Sequence, residues 1–220
     1  ARGPARDDLL GRLLSARDPQ TGQPLSSDEV RDQALIFLLA GHDTTATTLA
    51  FTLQLLARHP QVQFRVQGEA DAGGAMPYTQ QVLREALRLY PPAYAVSRYT
   101  ASGDVVSGTE IAPESNVFVA TYALHRSPEV WPEPAAFDPD RFLPAAVARR
   151  HRLAWLPFGA GAHVCIGAQL ATMELTVALA TLTAAATVVP VDGAPAVAPV
   201  ASGLVLRPAG PMPHRLVRRR

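Results

Sequence analysis

The sequence contains no lysine. All 20 of its basic residues are Arg, against 19 acidic residues, and the formal net charge is +1 over 220 residues. We read the missing lysine as codon bias and not as a site. The near-neutral balance removes the electrostatic case for a nucleic-acid or anionic-membrane partner. There is one cysteine, Cys165. That excludes an intrachain disulfide framework and any multi-cysteine zinc or iron–sulfur centre. Long apolar runs are also missing: the longest, Ala34 to Ala40, is far too short to span a bilayer. The first residues are charged, with no initiator Met and no secretory leader, so the chain reads as a soluble portion that starts in the middle of something. Apolar side chains are plentiful, at 48% against 18% charged, which is enough to bury a core and argues against disorder.

Periodicity predicts a mainly α chain with a minor β portion. Leu9, Leu10, Leu13 and Leu14 give a short amphipathic helix over 7–15. Ser26 and Glu29 have capping-box spacing and open the longest helix, 28–59, which meets no proline until Pro60. Its stretch 34–40 is apolar on every face, which predicts burial on all sides. Further helices are expected over 61–71, ended by Gly73-Gly74, and over 78–90, stopped by Pro91-Pro92. Short strands are expected between Val96 and Val119. A proline-dense but ordered connection runs from Pro128 to Pro144, a glycine-rich loop from Gly159 to Gly167, and an apolar helix from Ala168 to Thr187. The tail carries two strand candidates, 187–191 and 203–206.

Four short patterns carry chemistry. The first is Phe158-Gly159-Ala160-Gly161-Ala162-His163-Val164-Cys165-Ile166-Gly167, immediately before a helix. A thiolate there gains from the helix dipole and from free backbone N–H groups, and the glycines let the backbone pass close to a flat partner. A buried cysteine in a tight turn is the bland alternative, and the length of the pattern leaves it little room. The second is Ala40-Gly41-His42-Asp43-Thr44-Thr45 within the long apolar helix, where an acid and two hydroxyls cost free energy unless satisfied or used. The third, Glu85-Ala86-Leu87-Arg88, places an acid and a base on one helix face. Taken singly it is a common surface pair. The fourth, Phe137-Asp138-Pro139-Asp140-Arg141-Phe142, is on its own a proline-rich turn with a surface Arg.

In this order and spacing, from about Asp7 to Leu206, the four patterns resemble the cytochrome P450 family of haem-thiolate monooxygenases. The resemblance implies the C-terminal part of that fold. It implies that Cys165 is the proximal thiolate ligand of the iron, a ligand whose electron donation favours O–O cleavage. Phe158 then packs by the thiolate loop, and Gly167 closes the pattern as part of the cofactor-binding set. His163 and Arg98 match the groups that pair with the haem propionates, a role suited to the bidentate geometry of Arg. Asp43 and Thr44 match the acid–alcohol pair of the distal helix that relays protons. Ala40 and Gly41 match the small residues beside which dioxygen binds; His42 receives no role. Glu85, Arg88 and Arg141 match a buried structural network that holds the connection ahead of the Cys loop.

The implied cofactor is haem b, iron protoporphyrin IX. The implied partners are a small organic substrate, dioxygen and a ferredoxin- or flavodoxin-type electron donor, with no nucleic acid, no membrane segment in this portion and a cytoplasmic location. Arg149, Arg150 and Arg152 are expected near the face on which an acidic donor docks.

The family chain is roughly twice as long. Residues 1–220 are therefore read as a single partial domain, the C-terminal haem-binding half with the N-terminal half absent, and the stretch 69–78 is abbreviated. Alone, such a chain leaves one haem face uncovered and is expected not to be a competent enzyme. The alternative function is a non-catalytic remnant that holds haem poorly or not at all. A peroxide-driven variant is disfavoured by the intact Asp43-Thr44 pair.

Overall fold

The computed structural model describes residues 7–203 and 205–219; Leu204, within the predicted strand 203–206, lies outside them. The chain divides into two compact units, 1–43 and 44–220, with the boundary inside the longest helix. The first unit contains helix α1 (Leu9–Ser15), capped by the Asp8 carboxylate, which accepts the Gly11 N–H at 2.8 Å. It also contains the start of α2 (Ser27–Arg58). The capping box there is reciprocal: Glu29 donates its N–H to Ser26 Oγ at 3.2 Å, and Glu29 Oε2 accepts the Ser26 N–H at 2.8 Å.

The expected burial of 34–40 is not found. Leu38 and Leu39 are 65% and 70% exposed. One short helix and a loop, all that the first unit sets beside α2, cannot wrap every face of a helix.

In the second unit the core forms where α3 (Pro60–Ala72), α4 (Pro77–Leu89) and α7 (Ala168–Ala185) meet around Val62, Val66, Val82, Leu83, Leu175 and Leu179. Both α3 and α4 place a proline in the first turn, where the missing N–H costs nothing. Helix α3 stops at Gly73 and Gly74, whose φ values of 67° and 82° lie in the left-handed region that favours glycine. On length and composition alone α2 and α7 could each cross a membrane. Each nevertheless buries a face in this unit, α2 through Phe51, Leu55 and Leu56 and α7 through Leu175 and Leu179.

The β portion consists, among the described residues, of four antiparallel two-stranded sheets: β1 (Val96–Thr100) with β4 (Ser115–Val119), β2 (Asp104–Val106) with β3 (Thr109–Ile111), β5 (Ala186–Pro190) with β8 (His214–Arg218), and β6 (Pro199–Ser202) with β7 (Val205–Pro208). About 49% helix and 17% strand make the chain mainly α with a minor β part, as its periodicity predicts. The last helix ends two residues earlier than expected because Ala186 already pairs with Arg218. Two short helices, α5 (Thr121–Leu124) and α6 (Pro144–Arg149), flank the irregular connection, and a 3-10 turn at Pro139–Phe142 interrupts it.

Candidate functional site

Cys165 sits three residues ahead of α7 in a loop closed by its own backbone: the Cys165 N–H donates to the Phe158 carbonyl at 2.9 Å. Gly159 and Gly161 take φ values of 72° and 79°, which let the loop turn within a few residues. The thiol is exposed. Val164 and Ile166 on either side are exposed too, Ile166 by 84%, so the loop offers an apolar surface around a sulfur. A Cβ on Gly167 would lie 3.8 Å from Sγ, an ordinary contact, so Gly167 is not forced by crowding at the sulfur.

Arg98, on β1, reaches this loop. Its Nη2 donates to the Ala160 carbonyl at 3.0 Å and its Nη1 to the Ser97 carbonyl at 2.8 Å. His163 is exposed in the single 3-10 turn of the loop. The Phe158 ring meets Trp155 edge-on at 6.3 Å. The series continues through Phe142 at 5.5 Å to Trp131 at 6.0 Å, an aromatic seam behind the loop.

Helix α4 carries the buried ion pair. Glu85 and Arg88 both have fully buried side chains, joined at 2.7 Å through Arg88 Nε and Nη2. Arg88 uses all five of its donors, the other three going to the carbonyls of His125, Pro134 and Ala136 at 2.8–2.9 Å. Glu85 Oε1 also accepts the Asp138 N–H at 3.0 Å and lies 3.5 Å from Arg141 Nε. Burial pushes the Glu85 carboxyl up, while Arg88, the Asp138 N–H and Arg141 pull it back. The end of α4 thereby fixes the irregular connection from His125 to Arg141.

In the first unit, Ala40 and Gly41 are exposed, and nothing would meet a Cβ on Gly41 within 4 Å. Asp43 is half-buried, its Oδ1 3.4 Å from His42 Nδ1. Thr44 opens the second unit. Its carbonyl accepts the Thr48 hydroxyl at 2.8 Å, and the Thr48 carbonyl accepts the Thr52 hydroxyl at 2.7 Å.

The sequence reading missed His125. Its ring is fully buried, and its Nε2 accepts the Leu156 N–H at 2.8 Å. Nothing local marks it, because its burial comes from elements distant in sequence. Arg150 departs from the expected docking trio: its Nη2 donates to the Arg141 carbonyl at 2.6 Å and its guanidinium lies 3.9 Å above the Trp131 ring. Arg149 and Arg152 are exposed.

The donor set fits haem. A single exposed thiol can ligate the iron, the apolar residues Val164, Ile166 and Phe158 suit a flat macrocycle, and Arg98 and His163 suit its carboxylates. Among the described residues no cluster of three His, Cys, Asp or Glu side chains could hold a bare metal ion.

The chain was compared with known proteins. A family model described as cytochrome P450 matches residues 2–210. A cyclooctat-9-en-7-ol 5-monooxygenase of Streptomyces melanosporofaciens is 41% identical, over 87% of this chain and 44% of its own length. A pentalenene oxygenase of Streptomyces avermitilis is 37% identical, over 80% of this chain and 42% of its own. The crystal structure of the cytochrome P450DA haem domain superposes with a TM-score of 0.87 at 34% identity, covering 97% of this chain and 50% of that one. The chain thus spans less than half the length of these curated relatives.

Proposed function

The chain belongs to the cytochrome P450 family, the haem-thiolate monooxygenases, and on that premise we propose that it is the haem-binding half of an enzyme that inserts one atom of dioxygen into a small organic substrate. The observation that carries the reading is the exposed Cys165 thiol, on a residue whose backbone N–H is held by the Phe158 carbonyl just ahead of α7. When bound, haem supplies the dioxygen and one-electron chemistry. The proposed cofactor is haem b, as the family resemblance implies.

Each residue then has a task. Cys165 ligates through its thiolate and Phe158 shields the loop. Gly167 closes the haem-binding loop as the N-cap residue of α7. Arg98 and His163 hold the propionates, Arg98 anchored to the loop by the Ala160 carbonyl. Asp43 and Thr44 hold and pass protons, and Ala40 and Gly41 leave room for dioxygen. Glu85, Arg88 and Arg141 touch no reactant and act as structural supports. The proposed electron source is a ferredoxin- or flavodoxin-type donor in the cytoplasm, as the family resemblance implies.

For the chain alone, one observation favours the non-catalytic reading. Leu170, Met173 and Val177 of α7 are each about 60% exposed, an apolar surface of the kind that another part of a fold covers. Catalysis is therefore expected only when the other half of the fold covers the haem. The test is turnover under labelled dioxygen by the chain joined to that half, with a surrogate donor and cyclooctat-9-en-7-ol and pentalenene as first candidates. One labelled oxygen atom in the product supports a monooxygenase; product oxygen drawn only from water contradicts it.

A further inference from the structure

The root of the Cys165 loop is pinned at two consecutive residues, and both pins lead to α4. The Trp155 Nε1–H donates to the Arg84 carbonyl at 3.2 Å. The Leu156 N–H donates to His125 Nε2 at 2.8 Å, and the carbonyl of His125 in turn accepts Arg88 Nη1 at 2.9 Å. Beyond the root, the Gly159 N–H donates to the Leu156 carbonyl at 3.1 Å and the Cys165 N–H to the Phe158 carbonyl at 2.9 Å. A hydrogen-bonded path therefore runs from the fully buried Glu85–Arg88 pair through one imidazole to the backbone that presents the thiol.

We propose that His125 is a positioning residue for Cys165: its ring, proton-free at Nε2, holds the Leu156 N–H and so sets where the thiol loop stands above α4. The proposal rests on the reading of Cys165 as the haem ligand, since that is what gives its position a function. The accepting role fixes the tautomer, with the ring proton on Nδ1. That atom is buried and has no hydrogen-bond partner among the described residues. Leaving a donor unpaired in the interior costs free energy, so the gain lies at Nε2. The surroundings favour the neutral ring. Burial is the main cause; the Arg88 backbone pulls the other way, and the Arg88 and Arg126 guanidinium groups oppose a second positive charge, against lesser help from the Leu87 backbone. The ring also faces the edge of Trp131, on which Arg150 lies.

The test compares His125→Leu, which removes the acceptor and keeps the bulk, with His125→Gln, which can offer Oε1 to the Leu156 N–H. The readout is amide hydrogen exchange of the haem-free full chain at neutral pH. In His125→Leu, exchange across 156–165 is expected to quicken by about tenfold or more while α4 stays within about twofold of wild type, and His125→Gln is expected to restore the slow rate. Unchanged exchange over 156–165 in His125→Leu would overturn the proposal. So would a folded His125→Gln no better than His125→Leu. Should His125→Leu lose protection everywhere, nitrogen NMR of the wild-type ring decides: proton-free Nε2 supports the proposal and protonated Nε2 overturns it. With haem bound, His125→Leu should also lose more of its thiolate-type spectrum than His125→Gln. If Cys165 is not the ligand, the spectra fail in wild type as well, while the exchange result stands.

Discussion

Arg88 shows how far one side chain can be committed. Its five donors meet one carboxylate and three carbonyls, with no exposed surface. Arg88→Ala would strand a buried carboxylate and three carbonyls, and a loss of about 3–5 kcal/mol in denaturant unfolding is expected. A change within about 0.5 kcal/mol would show the pair to be dispensable. His125 makes a second residue-scale case. Burial pulls its pKa from 6.5 down to about 4. As pH falls, the unfolded chain takes up the proton first, so the His125 contribution is intact above about pH 6.5 and is lost progressively down to about 4. Unfolding midpoints followed from neutral to acid pH should fall through that window in wild type, and less steeply in His125→Gln. Equal slopes would contradict the neutral buried ring. Glu85 and Arg88 could be found in the sequence because their i,i+3 spacing is local. His125 could not, because its partners Leu156 and Arg88 lie far along the chain.

Among the elements, the short connection from α3 to α4 is satisfied in an unusual way. Met76 at the start of α4 offers no side-chain cap. Glu69 of α3 supplies one: its Oε1 accepts the Tyr78 N–H at 2.8 Å, and its Oε2 accepts the Thr79 N–H at 2.7 Å and the Thr79 hydroxyl at 2.8 Å. A carboxylate here also meets the positive end of the helix. Glu69→Ala is expected to cost about 1–2 kcal/mol and to speed amide exchange at Tyr78 and Thr79; unchanged exchange would mean the cap carries no weight. The cap that Glu69 supplies was not legible in the sequence, because it comes from the neighbouring helix. Helices with caps, prolines and glycines at their ends were legible to within a few residues. Strands β6 and β8 were not, because the first lies among prolines and the second reads His-Arg-Leu-Val-Arg, and only pairing with β7 and β5 makes them strands.

Over the whole molecule, exposure separates what the sequence grouped together. Of the basic trio before the Cys loop, Arg149 and Arg152 face water, while Arg150 braces the Trp131 seam. Charge reversal at Arg149 and Arg152 should slow reduction by an acidic ferredoxin and flatten its salt dependence. Arg150→Glu should lower stability instead, and equal effects of all three on reduction would dissolve the distinction. The apolar stretch around Leu39 in the first unit was read from the sequence as buried on all sides, and it is exposed. Composition reports how apolar a helix is and not what covers it.

Everything functional returns to the one cysteine. The most direct measurement is the reduced, carbon-monoxide-bound absorption spectrum of the haem-loaded protein, the chain joined to the other half of the fold, with Cys165 and with Cys165→Ala at equal haem content. Ligation by Cys165 requires the red-shifted band of a thiolate-ligated haem in the first and its loss in the second. The same band persisting in Cys165→Ala would contradict it.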